Sequence, residues 1–157
     1  MNGPMHVQEI SKETTYPLRL LVLRPGGVLS DTHFPNDQQN DAFHLGVFRD
    51  GTLISTGSFY PEGHPDLSAQ HPFRLRGMAT HPAHQGQGGG ALLLSTAFEH
   101  LAERNADLLW CNARLKALTF YTRMGLATHG ELFDIRGIGP HYLMYRMLAA
   151  RTHPSDR

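Results

Sequence analysis

Four of the six residues from Gln85 to Gly90 are glycine, and they stand directly before the clearest amphipathic helix pattern in the chain. Glycine at this density costs folding entropy unless the backbone freedom is used. Ahead of it, residues 73–80 (Phe-Arg-Leu-Arg-Gly-Met-Ala-Thr) read as a strand that His81-Pro82 ends. Gly77 interrupts that strand, as a glycine does at a bulge or a close backbone approach. Behind it, residues 91–104 set Leu94, Phe98 and Leu101 at helical spacing, with Leu93 and Ala97 beside them. Strand 73–80, loop 81–90 and helix 91–104 form one unit.

The loop suits an anion. Glycine lets the backbone approach a ligand closely, and the first amides of a helix point outward with the positive end of its dipole. Together these favour phosphate groups. No aspartate or glutamate falls between Pro82 and Glu99 to repel one. Three phosphate-loop readings compete with a flexible loop that binds nothing. A nucleoside-triphosphate loop needs Gly-Lys-Ser/Thr, yet no lysine lies between Lys12 and Lys116. A dinucleotide fingerprint needs a third glycine where Ala91 stands, and belongs after the first strand of a parallel unit. The third reading is carried by the wider segment from Met78 to Leu93.

The rest of the chain is a series of short elements. Residues 5–10 alternate and read as a strand. Over 11–24, Thr14 and Thr15 are candidate N-caps and Pro17 suits a first helical turn, but periodicity leaves helix and strand open. Residues 30–41 are polar and turn-rich, as in a loop. Phe43, Leu45 and Val47 alternate with His44, Gly46 and Phe48, Asp50-Gly51 signals a hairpin, and 52–60 is its return strand. Prolines and histidines make 61–72 a surface loop. Leu108-Leu109-Trp110-Cys111 is a continuously apolar, buried strand. A second helix is expected over about 115–124 with Gly125 as its C′ residue. Two strands, 127–133 and 141–148, follow, with Ile138-Gly139-Pro140 between them. The order β–α–β–β–β–α–β–α–β–β describes one α+β domain over residues 1–157, its core over about 5–148.

The segment Met78 to Leu93, Met-Ala-Thr-His-Pro-Ala-His-Gln-Gly-Gln-Gly-Gly-Gly-Ala-Leu-Leu, resembles the acetyl-CoA motif of the Gcn5-related N-acetyltransferases (GNAT). That motif is Arg/Gln-x-x-Gly-x-Gly/Ala at the head of a helix, and Gln85, Gly88 and Gly90 fill it. A second block, Ala117 to Leu126, is similar to the family's alanine-x-x-aromatic-tyrosine-x-x-x-glycine-phenylalanine block, with Leu126 for the phenylalanine. The resemblance covers roughly residues 40–148. It implies a mixed, mostly antiparallel sheet with a central, splayed parallel pair (strands 73–80 and 107–112) flanked by helices.

The resemblance also implies site roles. The pantetheine arm of acetyl-CoA would pair with the backbone of Met78, Ala79 and Thr80, with Gly77 at the family's bulge. The diphosphate would rest on amides of Gln85, Gly86, Gln87, Gly88, Gly89, Gly90 and Ala91. Tyr121 holds the place of the tyrosine that protonates the leaving thiolate, with Ala117 and Phe120 of the same block beside it; its other reading is a core aromatic. Asn112 and Arg114 end the strand that lines the cofactor, although Arg114 occupies the slot usual for an asparagine. For the base, Glu131 and His141 flank the final hairpin, and Gly137 to His141 is similar to a stretch of some subfamilies. A histidine titrates near neutrality and suits that task; equally, His141 could only cap the hairpin. Arg76 and His44 are further polar residues for the pocket.

The function expected is N-acetyl transfer from acetyl-CoA to a primary amine of a small molecule or peptide. Two other classes stay open: an acyl-CoA-binding sensor without chemistry, and an oligomeric scaffold. Balanced charge, 14 basic against 14 acidic residues, argues against a nucleic-acid partner. No apolar run nears the roughly 20 residues a bilayer needs, and residues 1–6 lack the pattern of a secretory signal. A single cysteine, Cys111, allows no internal disulfide and fits a cytoplasmic setting. The 11 histidines match no zinc spacing, so no metal is expected. A homodimer is compatible with such a domain, and nothing in the sequence decides it.

Overall fold

The computed structural model describes residues 3–149. Its elements run β1 (Met5–Ile10), α1 (Lys12–Leu18), β2 (Phe43–Arg49), β3 (Thr52–Pro61), β4 (Pro72–Thr80), α2 (Gly89–Glu103), β5 (Leu108–Arg114), α3 (Leu118–Arg123), β6 (Ala127–Ile135) and β7 (Gly139–Met147). This is the element order expected from the sequence. The strands hydrogen-bond in the order β1-β2-β3-β4-β5-β7-β6, and β4 with β5 is a parallel pair in a mixed, otherwise largely antiparallel sheet. The chain divides into two compact units, Met1–Pro61 with Leu75–Phe98 and Glu62–Arg74 with Glu99–Arg157.

In the first unit β1, β2 and β3 form an antiparallel meander. Asp50 and Gly51 both have positive φ, 51° and 77°, the mirror-image turn that matches strand twist. Phe43 and Phe59 pair across β2 and β3 with ring centroids 4.9 Å apart. Leu45, Val47 and Ile54 are fully buried, as are Leu93, Leu94 and Ala97 of α2. Although Phe43, Leu45 and Val47 alternate with His44, Gly46 and Phe48 in the sequence, residues 43–47 are buried throughout. Both faces of β2 are covered, and the buried polar member, His44, is hydrogen-bonded.

Three readings in this unit need correction. The cap of α1 is Ser11, not Thr14 or Thr15: its hydroxyl accepts from Thr14 N at 3.2 Å. Thr15 is instead buried, its hydroxyl donating to Lys12 O at 2.5 Å. Pro17 lies beyond the first turn, and the helix widens after it into a π-type turn, Arg19–Leu23, closed by Arg24 N on Arg19 O at 3.1 Å. Residues 30–41, read as a polar, turn-rich loop, are more ordered than that. They wind through two 3₁₀ turns, Leu29–Thr32 and Pro35–Gln38, and bury Thr32, Phe34 and Asp37.

In the second unit β5 pairs with β7, and β7 with β6. Leu108, Trp110 and Leu143 form a core cluster with Leu67, Ala69 and Tyr145 against it. The Trp110 indole donates to Glu62 O at 2.8 Å, and the Arg74 guanidinium lies 4.7 Å over the same ring. The Asp107 carboxylate accepts from Gln70 N and His71 N, each at 2.8 Å, so the loop before β4 is fastened to the head of β5. The expected second helix opens as a 3₁₀ turn, Leu115–Ala117, before α3. It ends in a Schellman motif: Gly125 N donates to Thr122 O and Leu126 N to Tyr121 O, both at 3.0 Å. Gly139 and Pro140 are already paired with β6, so the last turn is 136–138 rather than Ile138-Gly139-Pro140.

Candidate active site

β4 brings Met78, Ala79 and Thr80 to the glycine loop. Its end is fastened to β3: Thr80 Oγ1 lies 2.7 Å from Ser55 Oγ, and His81 N donates to Ile54 O at 2.8 Å. Gly77 has φ +67°, the left-handed value a strand bulge uses. A short 3₁₀ turn, Pro82–His84, is capped by His81 Nδ1 accepting from Ala83 N at 3.0 Å. Gln85, Gly86, Gln87 and Gly88 follow, all exposed. Gly86 and Gly88 have φ +76° and +88°, and a Cβ on either would meet nothing within 4 Å. Backbone conformation rather than crowding therefore calls for glycine here, and the space above is open.

α2 begins at Gly89, two residues earlier than its apolar pattern suggested, because glycines carry no periodicity. A Cβ on Gly89 would come within 2.9 Å of Ser55 Oγ, so the helix start is seated closely on β3. The first ladder bond runs from Leu92 N to Gly88 O at 3.0 Å. The amides of Gly89, Gly90 and Ala91 thus stand ahead of the ladder, at the positive end of a 15-residue helix. Open glycine backbone, amides ahead of the ladder and no carboxylate from 77 to 98 fit a diphosphate.

The second unit holds the other expected site residues. Tyr121 is 6% exposed and packs edge-on to Phe120 at 5.1 Å. Burial drives its hydroxyl well above the ordinary pKa of 10, with Cys111 adding and Arg114 opposing, so it stays protonated at neutral pH. Burial also pushes the Cys111 thiol up to about 12, which leaves it no thiolate for nucleophilic work. Asn112 and Arg114 are half-buried on β5, and Ala117 closes the 3₁₀ turn before α3. Arg114 lies opposite His141 in the β5–β7 ladder. His141 is 3% exposed, and its Nδ1 is 2.7 Å from Gly139 O. A carbonyl only accepts, so Nδ1 is the donor in this contact, and Nε2 is the nitrogen that bears the lone pair whenever the ring is neutral. Glu131 lies exposed on β6, in the irregular stretch between His129 and Phe133. Arg114 thus stands opposite His141 in the ladder, and its charge acts on Tyr121, while Glu131 stands on β6 at the end of the strand order.

Apart from His44 and Arg76, a buried polar cluster in the first unit left only one hint in the sequence. Arg19, 0% exposed, donates through Nη1 to Asp37 Oδ2 at 2.7 Å and Thr32 O at 2.8 Å, and through Nη2 to Ser58 Oγ at 2.8 Å. Tyr60 donates its hydroxyl to Asp37, and His44 Nδ1 is 2.7 Å from Ser58 Oγ. Two guanidinium groups lie over the Phe34 ring, Arg19 at 4.0 Å and Arg76 at 4.2 Å from its centroid. Arg76 also donates to Asn36 Oδ1 at 2.7 Å. Burial alone would raise the Asp37 carboxyl, but hydrogen bonds from Arg19 and Tyr60 and the Arg19 charge outweigh it and hold it below its usual range. Burial lowers the His44 pKa; Asp37 opposes this. The one sequence hint was an arginine set among leucines at Leu18-Arg19-Leu20-Leu21.

The family model described as Acetyltransferase (GNAT) family matches residues 12–126. The chain is 42% identical over 144 residues to the uncharacterized N-acetyltransferase YitI of Bacillus subtilis (strain 168), covering 92% of this chain and 97% of that protein. It belongs to the GNAT family. Two Escherichia coli crystal structures show the same fold. The ribosomal-protein-S18-alanine N-acetyltransferase has a TM-score of 0.73 at 15% identity, covering 96% of this chain and 98% of that one. ElaA has a TM-score of 0.70 at 18% identity, covering 91% and 99%. As a GNAT protein the chain is an acyltransferase of the N-acetyltransferase type, in a family whose co-substrate is acyl-CoA. Among the described residues no group of three or more His, Cys, Asp or Glu could hold a metal, and no helix is long and apolar enough to cross a membrane.

Proposed function

We propose that this GNAT protein, one functional domain over residues 1–157 and cytoplasmic, transfers acetyl from acetyl-CoA to a primary amine of a small molecule or peptide. The observation that carries the reading is the loop at 85–91: left-handed glycines at Gly86 and Gly88, then helix amides ahead of the ladder. Those amides, from Gln85 to Ala91, hold the diphosphate. The backbone of Met78, Ala79 and Thr80 holds the pantetheine arm. Asn112, Arg114, Ala117 and Phe120 complete the cofactor contacts.

Bound acetyl-CoA supplies an activated acyl group, and the protein supplies proton handling. Tyr121 donates a proton to the departing sulfur, a role its buried, protonated hydroxyl supports. His141 Nε2 accepts the proton that the amine loses, and the Nδ1 contact to Gly139 O supports that orientation. Glu131 is the second candidate for the base. The test is thiol release from acetyl-CoA against a panel of amines, with Tyr121→Phe alongside. Turnover with at least one amine is expected, and Tyr121→Phe should slow it by about 10²-fold while coenzyme A affinity holds. No turnover across a broad panel, or an unaltered rate in Tyr121→Phe, would count against the reading.

A further inference from the structure

The glycine loop brings no formal positive charge of its own. From Gly77 to Glu103 there is neither lysine nor arginine. A diphosphate carries about two negative charges, and a helix terminus offers roughly half of one positive charge in return. A cation from elsewhere in the chain would offset the remainder.

Arg49 is placed to do so. It ends β2 beside the Asp50-Gly51 turn, far from the loop in sequence. Its Nε donates to Gly3 O at 2.9 Å, and its Nη1 donates to the side-chain oxygen of Gln87. The guanidinium is therefore held at both ends, one of them a loop residue between the two left-handed glycines. Two of its five N–H donors are engaged by described residues, and the others are available to an acceptor. The neighbouring Asp50 carboxylate is within 3.3 Å of Gly3 N, a donor of its own. A fixed, planar guanidinium suits phosphate oxygens, which it can engage two at a time.

We propose that Arg49 is a phosphate-binding residue for acyl-CoA, held at the loop by Gln87 and supplying the charge that the loop lacks. This rests on the reading that the loop takes the diphosphate of coenzyme A.

Calorimetric titration of coenzyme A and of 3′-dephospho-coenzyme A at several salt concentrations tests it. Arg49→Gln should weaken coenzyme A binding roughly tenfold and flatten its salt dependence, whereas Arg49→Lys should retain most of both. An equal loss with both ligands assigns the contact to the diphosphate; a loss with coenzyme A alone assigns it to the 3′-phosphate. A melting curve shows whether Arg49→Gln is folded. If it is not, the Arg49 Nε–H resonance of the parent protein should move on titration with coenzyme A. The inference is overturned if the parent binds coenzyme A while Arg49→Gln matches its affinity and salt slope, or if that resonance stays still. If the parent binds no coenzyme A, the reading beneath fails and the inference with it.

Discussion

At the residue scale, the decisive interactions join positions far apart in the chain. Arg19, Asp37, Ser58 and Tyr60 come from a helix end, a 3₁₀ turn and a strand, and no periodicity announces them. Asp37→Asn removes the charge opposite a fully buried guanidinium, and should cost about 3–5 kcal/mol in urea denaturation at pH 7. Acid should act in two windows. His44 has a lowered folded pKa, so the unfolded chain takes up its proton first and stability falls below about pH 6.5. Asp37 is also lowered, so its contribution is present above about pH 4 and is lost as pH falls through the folded value. Asp37→Asn should lack the second window, and a parent-like acid slope in the variant would refute this account. Arg49 was invisible for the same reason as Arg19: nothing local to the β2–β3 turn points to a loop nearly forty residues on.

At the element scale, local chemistry was legible where a backbone conformation demands glycine or a few other residues. The Asp50-Gly51 turn, the left-handed Gly77 in β4 and the Gly125 stop follow from backbone conformations that only a few residues adopt. Gly125→Ala should destabilise by about 1–2 kcal/mol. Its φ of +88° is left-handed, and the new Cβ would sit 3.3 Å from Arg146 Nη1, which donates to Met124 O. Thermal melting with Gly130→Ala as a control separates crowding from backbone strain, since Gly130 has φ +78° with nothing within 4 Å. Equal losses would remove Arg146 from the explanation. Boundaries were legible only where side chains mark them. Ser11 outcompeted Thr14 as the cap because Thr14 already lies inside the first turn, and Gly139-Pro140 joined β7 because cross-strand pairing, not turn propensity, decides the hairpin's length.

At the scale of the whole molecule, binding and stability are one equilibrium. If the loop holds coenzyme A, a concentration of 100 Kd adds about 2.7 kcal/mol to the folded state. For a chain of this size that is a rise in Tm of about 5–10 °C. A thermal-shift titration without any change would contradict the proposed ligand. The sequence by itself determined the element order, the left-handed glycines before α2 and the two family blocks, because each is written in contiguous residues with a fixed period or a fixed backbone demand. Only the tertiary structure decided that residues 43–47 are buried on both faces, that Arg19 meets Asp37 and that Arg49 meets Gln87. Those outcomes depend on which segments the folded chain lays side by side, and loop closure over tens of residues leaves no periodic trace in any one of them.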